Sequence, residues 1–175
     1  MIGRRPRVGR PPVLGPASVG PKRLARRPAV SHRCPSTTVT RVETTILDID
    51  TSRRQVVDVT DEVESFCRRR GDGLCSVFVP HATAGVAVME TGSGSEADLV
   101  AALDRLLPRD DRYGHRHGAP GHGADHLLPV LVSPSLVLPV MAGRPALGTW
   151  QRVVLVDTNE DNPHRQVRLS FLASS

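Results

Sequence analysis

Aromatic side chains are almost absent from this chain: one tryptophan, one tyrosine and three phenylalanines make up 3% of its 175 residues. A core must therefore be filled by aliphatic residues, and a hydrophobic share of 39% is enough for one domain of ordinary size. Cysteine is scarce as well. Cys34, Cys67 and Cys75 form no CxxC pair and no even set, which excludes a disulfide framework and points to reduced thiols in a cytoplasmic protein. Cys67 and Cys75 lie in apolar runs and read as small core residues. Lysine occurs once, at Lys22, a bias of coding composition rather than chemistry. No run approaches the roughly 20 apolar residues of a membrane-spanning helix, so no membrane association is expected.

Acidic residues are missing from one region only. Residues 1–36 hold nine of the 23 basic residues and no acid, leaving 14 basic against 18 acidic residues in the remainder. The excess positive charge is a property of that first segment, and 37–175 does not read as a basic nucleic-acid-binding surface. Residues 1–36 also contain seven of the 15 prolines and lack any hydrophobic period. Such a stretch buries too little apolar surface to offset its chain entropy, so it reads as a disordered Arg/Pro-rich tail preceding a single domain over 37–175. It has no apolar core of about 7–15 residues, as a secretory signal would.

Within 37–175 the pattern alternates between strand and helix. Thr37 to Ile49 is β-branched and alternating, and Gln55 to Val59 reads as its return strand in a hairpin. Thr60 is expected to cap a helix with Asp61 and Glu62 in its first turn, Val63, Phe66 and Cys67 on its apolar stripe, and Arg68 to Arg70 in its last turn. Leu74 to Val79 is nearly continuous in apolar character and reads as a central strand covered on both faces. A short strand follows at Val86 to Met89. Ser95 opens a second helix with Asp98 as a capping-box partner and a stripe of Leu99, Leu103, Leu106 and Leu107, ended by Pro108. After a polar loop over 109–126, strands are expected at Leu127 to Val132, Ser135 to Val140, Thr149 to Val156 and Gln166 to Leu172. About seven strands, two main helices and no βαβ rhythm after 108 indicate an α+β domain with a mostly antiparallel or mixed sheet or sandwich.

Histidine carries the chemical signal. Six of seven histidines fall in 37–175, and His115, His117, His122 and His126 lie within twelve residues. Imidazole is the commonest neutral nitrogen ligand for zinc-like metals, and a catalytic site of that kind draws three ligands from separate elements. A His- and Gly-rich loop is equally a solvated surface segment, and His81 alone is equally a satisfied turn residue. Glu90, after a strand, reads as a ligand, a base or an edge charge. In Gly148-Thr149-Trp150-Gln151 the polar side chains offer hydrogen bonds to a ligand, while a glycine bend with tryptophan in the core explains the same residues.

Taken in order, Pro80 to Gly85 (PHATAG), Glu90, Tyr113-Gly114-His115, His126, Ser135 to Val140 (SLVLPV) and Gly148 to Gln151 (GTWQ) resemble the YjbQ family of secondary thiamine-phosphate synthases, over roughly residues 37–172. The resemblance implies a compact α+β fold assembled as a homo-oligomer, a trimer. It implies a divalent metal, zinc, on His81, His115 and His126, with His117 and His122 left as loop surface. It implies Glu90 and Gln151 as catalytic, and Thr83, Thr149, Gln151 and Arg165 as contacts to a small phosphorylated metabolite. The implied reaction joins a pyrimidine pyrophosphate to a thiazole phosphate. A metal-dependent hydrolase of a small phosphorylated compound and a non-catalytic metal- or metabolite-binding trimer stand beside it. The chain departs from the family pattern at Met89 (Asn in the family), Ser93-Gly94 (Asp-Pro), Gly118 (often Glu) and Leu128 (usually Lys).

Overall fold

The computed structural model describes residues 41–110 and 112–174. The tail expected over 1–36, Cys34, and the start of the strand expected from Thr37 lie outside the described residues. Eight strands and four helices are described: β1 (Val42–Asp50), β2 (Val56–Asp58), α1 (Thr60–Cys67), β3 (Gly73–Phe78), β4 (Ala84–Met89), α2 (Ser95–Leu106), α3 (His122–Asp125), α4 (Leu128–Leu131), β5 (Ser135–Met141), β6 (Arg144–Pro145), β7 (Arg152–Asp157) and β8 (His164–Ala173). The strands form a five-stranded sheet in the order β1-β8-β3-β5-β6 and a three-stranded sheet in the order β2-β7-β4. Every pairing is antiparallel. The architecture is α+β, as the element pattern indicated.

Two apolar layers explain the burial. Cys75 and Val77 of β3, Val167, Leu169 and Phe171 of β8, and Val153 and Leu155 of β7 meet Val63 and Phe66 of α1 in the main core. On the other face of β7, Val154 and Val156 pack with Leu103 of α2 and Leu128 of α4. This is why β7 reads VVLV without alternation: it is covered on both sides, and its four residues 153–156 are fully buried. Each such side chain contributes about 1.5–3 kcal/mol by leaving water. Cys67 and Cys75 are buried free thiols, in line with their reading as core residues.

Several local expectations change. β1 and β2 do not form a hairpin: β1 pairs with β8 along its whole length, and β2 pairs with β7 in the other sheet. Leu127 to Val132 is not a strand but contains the short helix α4, with Pro129 in its first turn. Proline lacks the N–H that a ladder needs, and an N-terminal helical position does not use it. Thr60 is the first helical residue rather than the cap. Asp58 Oδ1 accepts hydrogen bonds from the Thr60 N–H (2.9 Å) and hydroxyl (2.5 Å), and Thr60 Oγ1 accepts from the Val153 N–H (2.9 Å), which ties α1 to β7. Finally, β3 is central in its sheet but covered on one face only, since Leu74 and Phe78 are exposed beside fully buried Cys75 and Val77.

Glycine is required where β4 crosses under the chain leading into β5. A Cβ on Gly85 would lie 2.0 Å from the Val132 carbonyl oxygen, a backbone atom that cannot turn aside. Val86 N–H donates to the Ser133 carbonyl at 2.8 Å in the same crossing. The close approach holds the segment after α4 against β4, and with it the C-terminal end of the histidine loop.

Candidate functional site

The loop after α2 is fastened by a buried carboxylate. Asp125, at the end of α3, is 1% exposed. Its Oδ1 accepts from Arg109 Nη1 (2.6 Å) and the Thr158 hydroxyl (2.7 Å), and its Oδ2 accepts from Asn159 Nδ2 (3.1 Å). Arg109 Nη1 also donates to the Thr158 carbonyl (3.1 Å). These bonds join the two ends of the loop to the residues following β7, so a segment rich in glycine acquires a fixed base.

On that base four imidazoles gather. The ligand nitrogens of His115, His117 and His122 lie within 4.8 Å of one another. His126 completes the group: its Nε2 stands 3.0 Å from His122 Nε2, and its ring centroid is 4.4 Å from that of His115. Glycines make this packing possible rather than loosening it. A Cβ on Gly118 (φ +84°) would fall 2.7 Å from the His122 ring, and one on Gly123 would fall 2.7 Å from Tyr113 Cβ. His115, His117 and His122 open on a cleft of about 270 Å³, also lined by Tyr113, Arg116 and Asp110. Burial and then the neighbouring imidazoles hold His115 and His126 below the ordinary histidine range. A lowered pKa favours the neutral imidazole, the form whose lone pairs can bind a metal. A set of three imidazole nitrogens, with a fourth histidine beside it, fits a borderline ion such as zinc and fits magnesium or calcium poorly.

The expected set of His81, His115 and His126 is therefore not the one the fold assembles. His115 and His126 come together, but with His117 and His122, the two histidines read as loop surface. His81 is turned to a local partner: its Nδ1 faces the Thr83 hydroxyl (3.0 Å) and N–H (3.3 Å). Burial and then the Arg165 charge push its pKa down, opposed by Asp157. A polar chain does connect it to the cluster. Thr83 Oγ1 accepts from Arg165 Nη2 (3.5 Å), which also donates to Asn159 Oδ1 (3.4 Å), and Asn159 Nδ2 lies 3.4 Å from His122 Nδ1.

The other expected site residues are dispersed. Thr83 is buried within the polar chain just described. Arg165 is fully buried and paired with Asp157 (Nε to Oδ2, 2.8 Å), so it is not open to an anion from solvent. Glu90 is exposed just beyond β4. Thr149 and Gln151 are exposed before β7, where Gln151 Oε1 accepts from the Gly148 N–H (2.7 Å), and Trp150 is 72% exposed rather than in the core. Met89 and Leu128 belong to the apolar layer around α2 and α4. Sequence reasoning missed Asp161 and Asn159, because only the fold brings the turn after β7 against His122. It underrated His117 and His122, although their spacing to His115 was visible.

Comparison with known proteins places these features in a wider set. A family model described as UPF0047 protein YjbQ-like matches residues 45–174. UPF0047 protein Rv2556c of Mycobacterium tuberculosis is 65% identical over 131 residues, covering 75% of this chain and 98% of its own length. A UPF0047 protein of Archaeoglobus fulgidus is 33% identical, covering 69% of this chain and 95% of its own length. Among solved structures, the hypothetical protein APE1520 of Aeropyrum pernix is similar at a TM-score of 0.68 and 37% identity, covering 75% of this chain and 99% of its own. A YbjQ-like protein of unknown function from Sulfolobus solfataricus shares the fold at a TM-score of 0.71 and 24% identity, covering 77% of this chain and 99% of its own.

Proposed function

This chain belongs to the YjbQ-like UPF0047 family, and from that premise we propose that it is a metal-dependent enzyme acting on a small phosphorylated compound, with its metal centre on the histidine loop. The observation that carries the reading is the convergence of His115, His117 and His122 within 4.8 Å beside a cleft, with His126 against them. A divalent ion of the zinc class, held there, supplies a Lewis acid toward a phosphate oxygen. The chain's own residues do the rest. The lowered pKa values of His115 and His126 keep imidazole lone pairs available. Arg116, on the wall of the cleft, offers a cation to the phosphate in place of the buried Arg165. The Asp125 network holds the loop in register, so little ordering remains to be done when substrate arrives.

In its finer form the proposal is a thiamine-phosphate synthase-like transfer. A pyrimidine pyrophosphate is joined to a thiazole phosphate and pyrophosphate departs. The motif resemblance supports this reaction. A homo-oligomer, a trimer by the same resemblance, belongs to the proposal as well. Val42, Ile46, Leu74, Phe78, Val137 and Met141 form an exposed apolar outer face on the five-stranded sheet, interleaved with small Ser76 and Ser170. An exposed apolar face of this kind is suited to a second copy. No helix among the described residues is long and apolar enough to cross a membrane; the cytoplasmic setting in the proposal is supported by the free thiols of Cys67 and Cys75.

The test is pyrophosphate release from the two thiamine precursors by the full chain, with zinc and after chelation. Release that needs the metal and is lost in His122→Ala supports the transfer. Metal-dependent phosphate release from other phosphorylated compounds, without condensation, points to the hydrolase instead. Metal binding without turnover leaves the non-catalytic reading.

A further inference from the structure

Among the described residues, His122 is the one imidazole of the cluster held by a carboxylate. Its Nδ1 lies 2.9 Å from Asp161 Oδ2. Its other nitrogen, Nε2, points into the cluster, 3.0 Å from His126 Nε2. A second polar atom, Asn159 Nδ2, lies 3.4 Å from the same Nδ1. That amide is already oriented: its Oδ1 accepts from Arg165 Nη2 and from the Asn162 N–H, and its Nδ2 donates to Asp125 Oδ2. It presents only N–H to His122, so it cannot accept a proton from Nδ1. A carboxylate can only accept. The Nδ1 proton of His122 therefore faces Asp161, and the Nε2 lone pair is left for the cluster.

Asp161 is itself held in place. It opens the turn between β7 and β8, where the Asn162 N–H donates to Asn159 Oδ1 (3.3 Å) and the His164 N–H donates to Asn162 Oδ1 (3.0 Å). The Pro163 carbonyl in the same turn accepts from the Thr51 N–H (2.8 Å) and hydroxyl (2.9 Å). From the other side, Asp161 Oδ2 accepts the Ala119 N–H (3.3 Å), reaching into the histidine loop itself. Gly118 belongs to the same arrangement: a Cβ there would fall 3.0 Å from Asp161 Oδ2 and 2.8 Å from His122 Nδ1, so any larger residue would push the pair apart.

We propose that Asp161 is the positioning residue of the metal centre: it fixes the Nδ1–H tautomer of His122, aims Nε2 at the ion, and pins the loop through Ala119. The inference rests on the histidine loop being the metal site, and it assigns a function to a turn that the family resemblance left without one. A carboxylate behind a ligating histidine orients the ring and raises its basicity, and losing such a partner weakens metal affinity by about 10–100-fold.

The experiment uses the full chain and two readouts. Zinc affinity is measured by competition with a chromophoric chelator for the wild type, Asp161→Ala and Asp161→Asn. The His122 tautomer is read in the metal-free protein from the ¹⁵N shifts of its ring. The expected result is Nδ1–H in the wild type, a mixed or Nε2–H state in Asp161→Ala, and a loss of zinc affinity of ten- to a hundredfold in that variant. Asp161→Asn keeps an acceptor for Nδ1–H and for Ala119, so it should lose less affinity and keep the wild-type tautomer. Zinc affinity within twofold of wild type in Asp161→Ala, or an unchanged tautomer there, overturns the proposal. If the wild type binds no zinc, the metal reading falls by itself, and the tautomer of the Asp161→Ala variant still decides whether Asp161 positions His122.

Discussion

Arg165 and Asp157 form an ion pair at 2.8 Å in which neither side chain has any solvent exposure. Asp157 Oδ1 also accepts from Arg165 Nη2 (3.1 Å), and Asp157 Oδ2 accepts from the Thr51 hydroxyl (2.8 Å). The pair links β7 to β8 through the turn that carries Asp161. Removing one partner strands the other charge in the core, a loss of about 3–5 kcal/mol. Asp157→Ala is therefore expected to lower unfolding free energy by that amount in urea titrations. A loss below about 1 kcal/mol would mean that water reaches Arg165.

His81 should make stability pH-dependent in a definite sense. Its folded pKa is depressed by burial and by Arg165. Above the ordinary value of 6.5, folded and unfolded chains are both neutral at this residue and it contributes nothing to the slope. As pH falls through 6.5, the unfolded chain takes a proton that the folded chain resists, so stability declines until the folded pKa is passed and then levels off. His115 and His126 are shifted in the same direction. The difference between wild type and His81→Asn isolates one residue: the variant should lose less stability between pH 7 and pH 5. Equal losses would show that His81 titrates normally in the fold.

Metal occupancy should separate the histidines. Alanine at His115, His117 or His122 is expected to weaken zinc binding tenfold or more, at least about 1.4 kcal/mol. His81→Ala should leave it nearly unchanged, because His81 is not among the imidazoles whose ligand nitrogens converge. Equilibrium dialysis with metal analysis decides the matter. Loss of zinc in the His81 variant with retention in the His117 variant would restore the set that the family resemblance implied.

The exposed face of the five-stranded sheet predicts an assembly. Val137 and Met141 lie on that face and are 57% and 65% exposed. Val137→Glu with Met141→Glu should reduce the sedimenting species to a single chain without changing the fold, since neither side chain enters the core. A wild type that already sediments as one chain would remove the oligomer from the proposed function.

Much of the fold was legible because its signals are local. The stripe of Val63, Phe66 and Cys67, the helix from Ser95, and the strands around Leu138 and Leu169 are written in periodicities that a few neighbouring residues fix. The family was legible from short motifs in a fixed order. The partners of those elements were not: β1 chose β8 across more than a hundred residues rather than its sequence neighbour β2, and no local pattern carries such a pairing.

The sequence alone determined that four histidines would sit close together in the segment after the second helix, that aliphatic residues would build the core, and that the chain would be α+β. Tertiary structure alone decided which imidazoles meet. It brought Asp161, 39 residues after His122, to that ring. It buried Arg165 against Asp157 instead of leaving it for a phosphate, and it turned His81 to Thr83. The physical reason is one of range. Periodicity and capping act over a few residues, while the alignment of a lone pair, the burial of a charge and the closing of a glycine loop depend on atoms that only packing brings within about 3 Å.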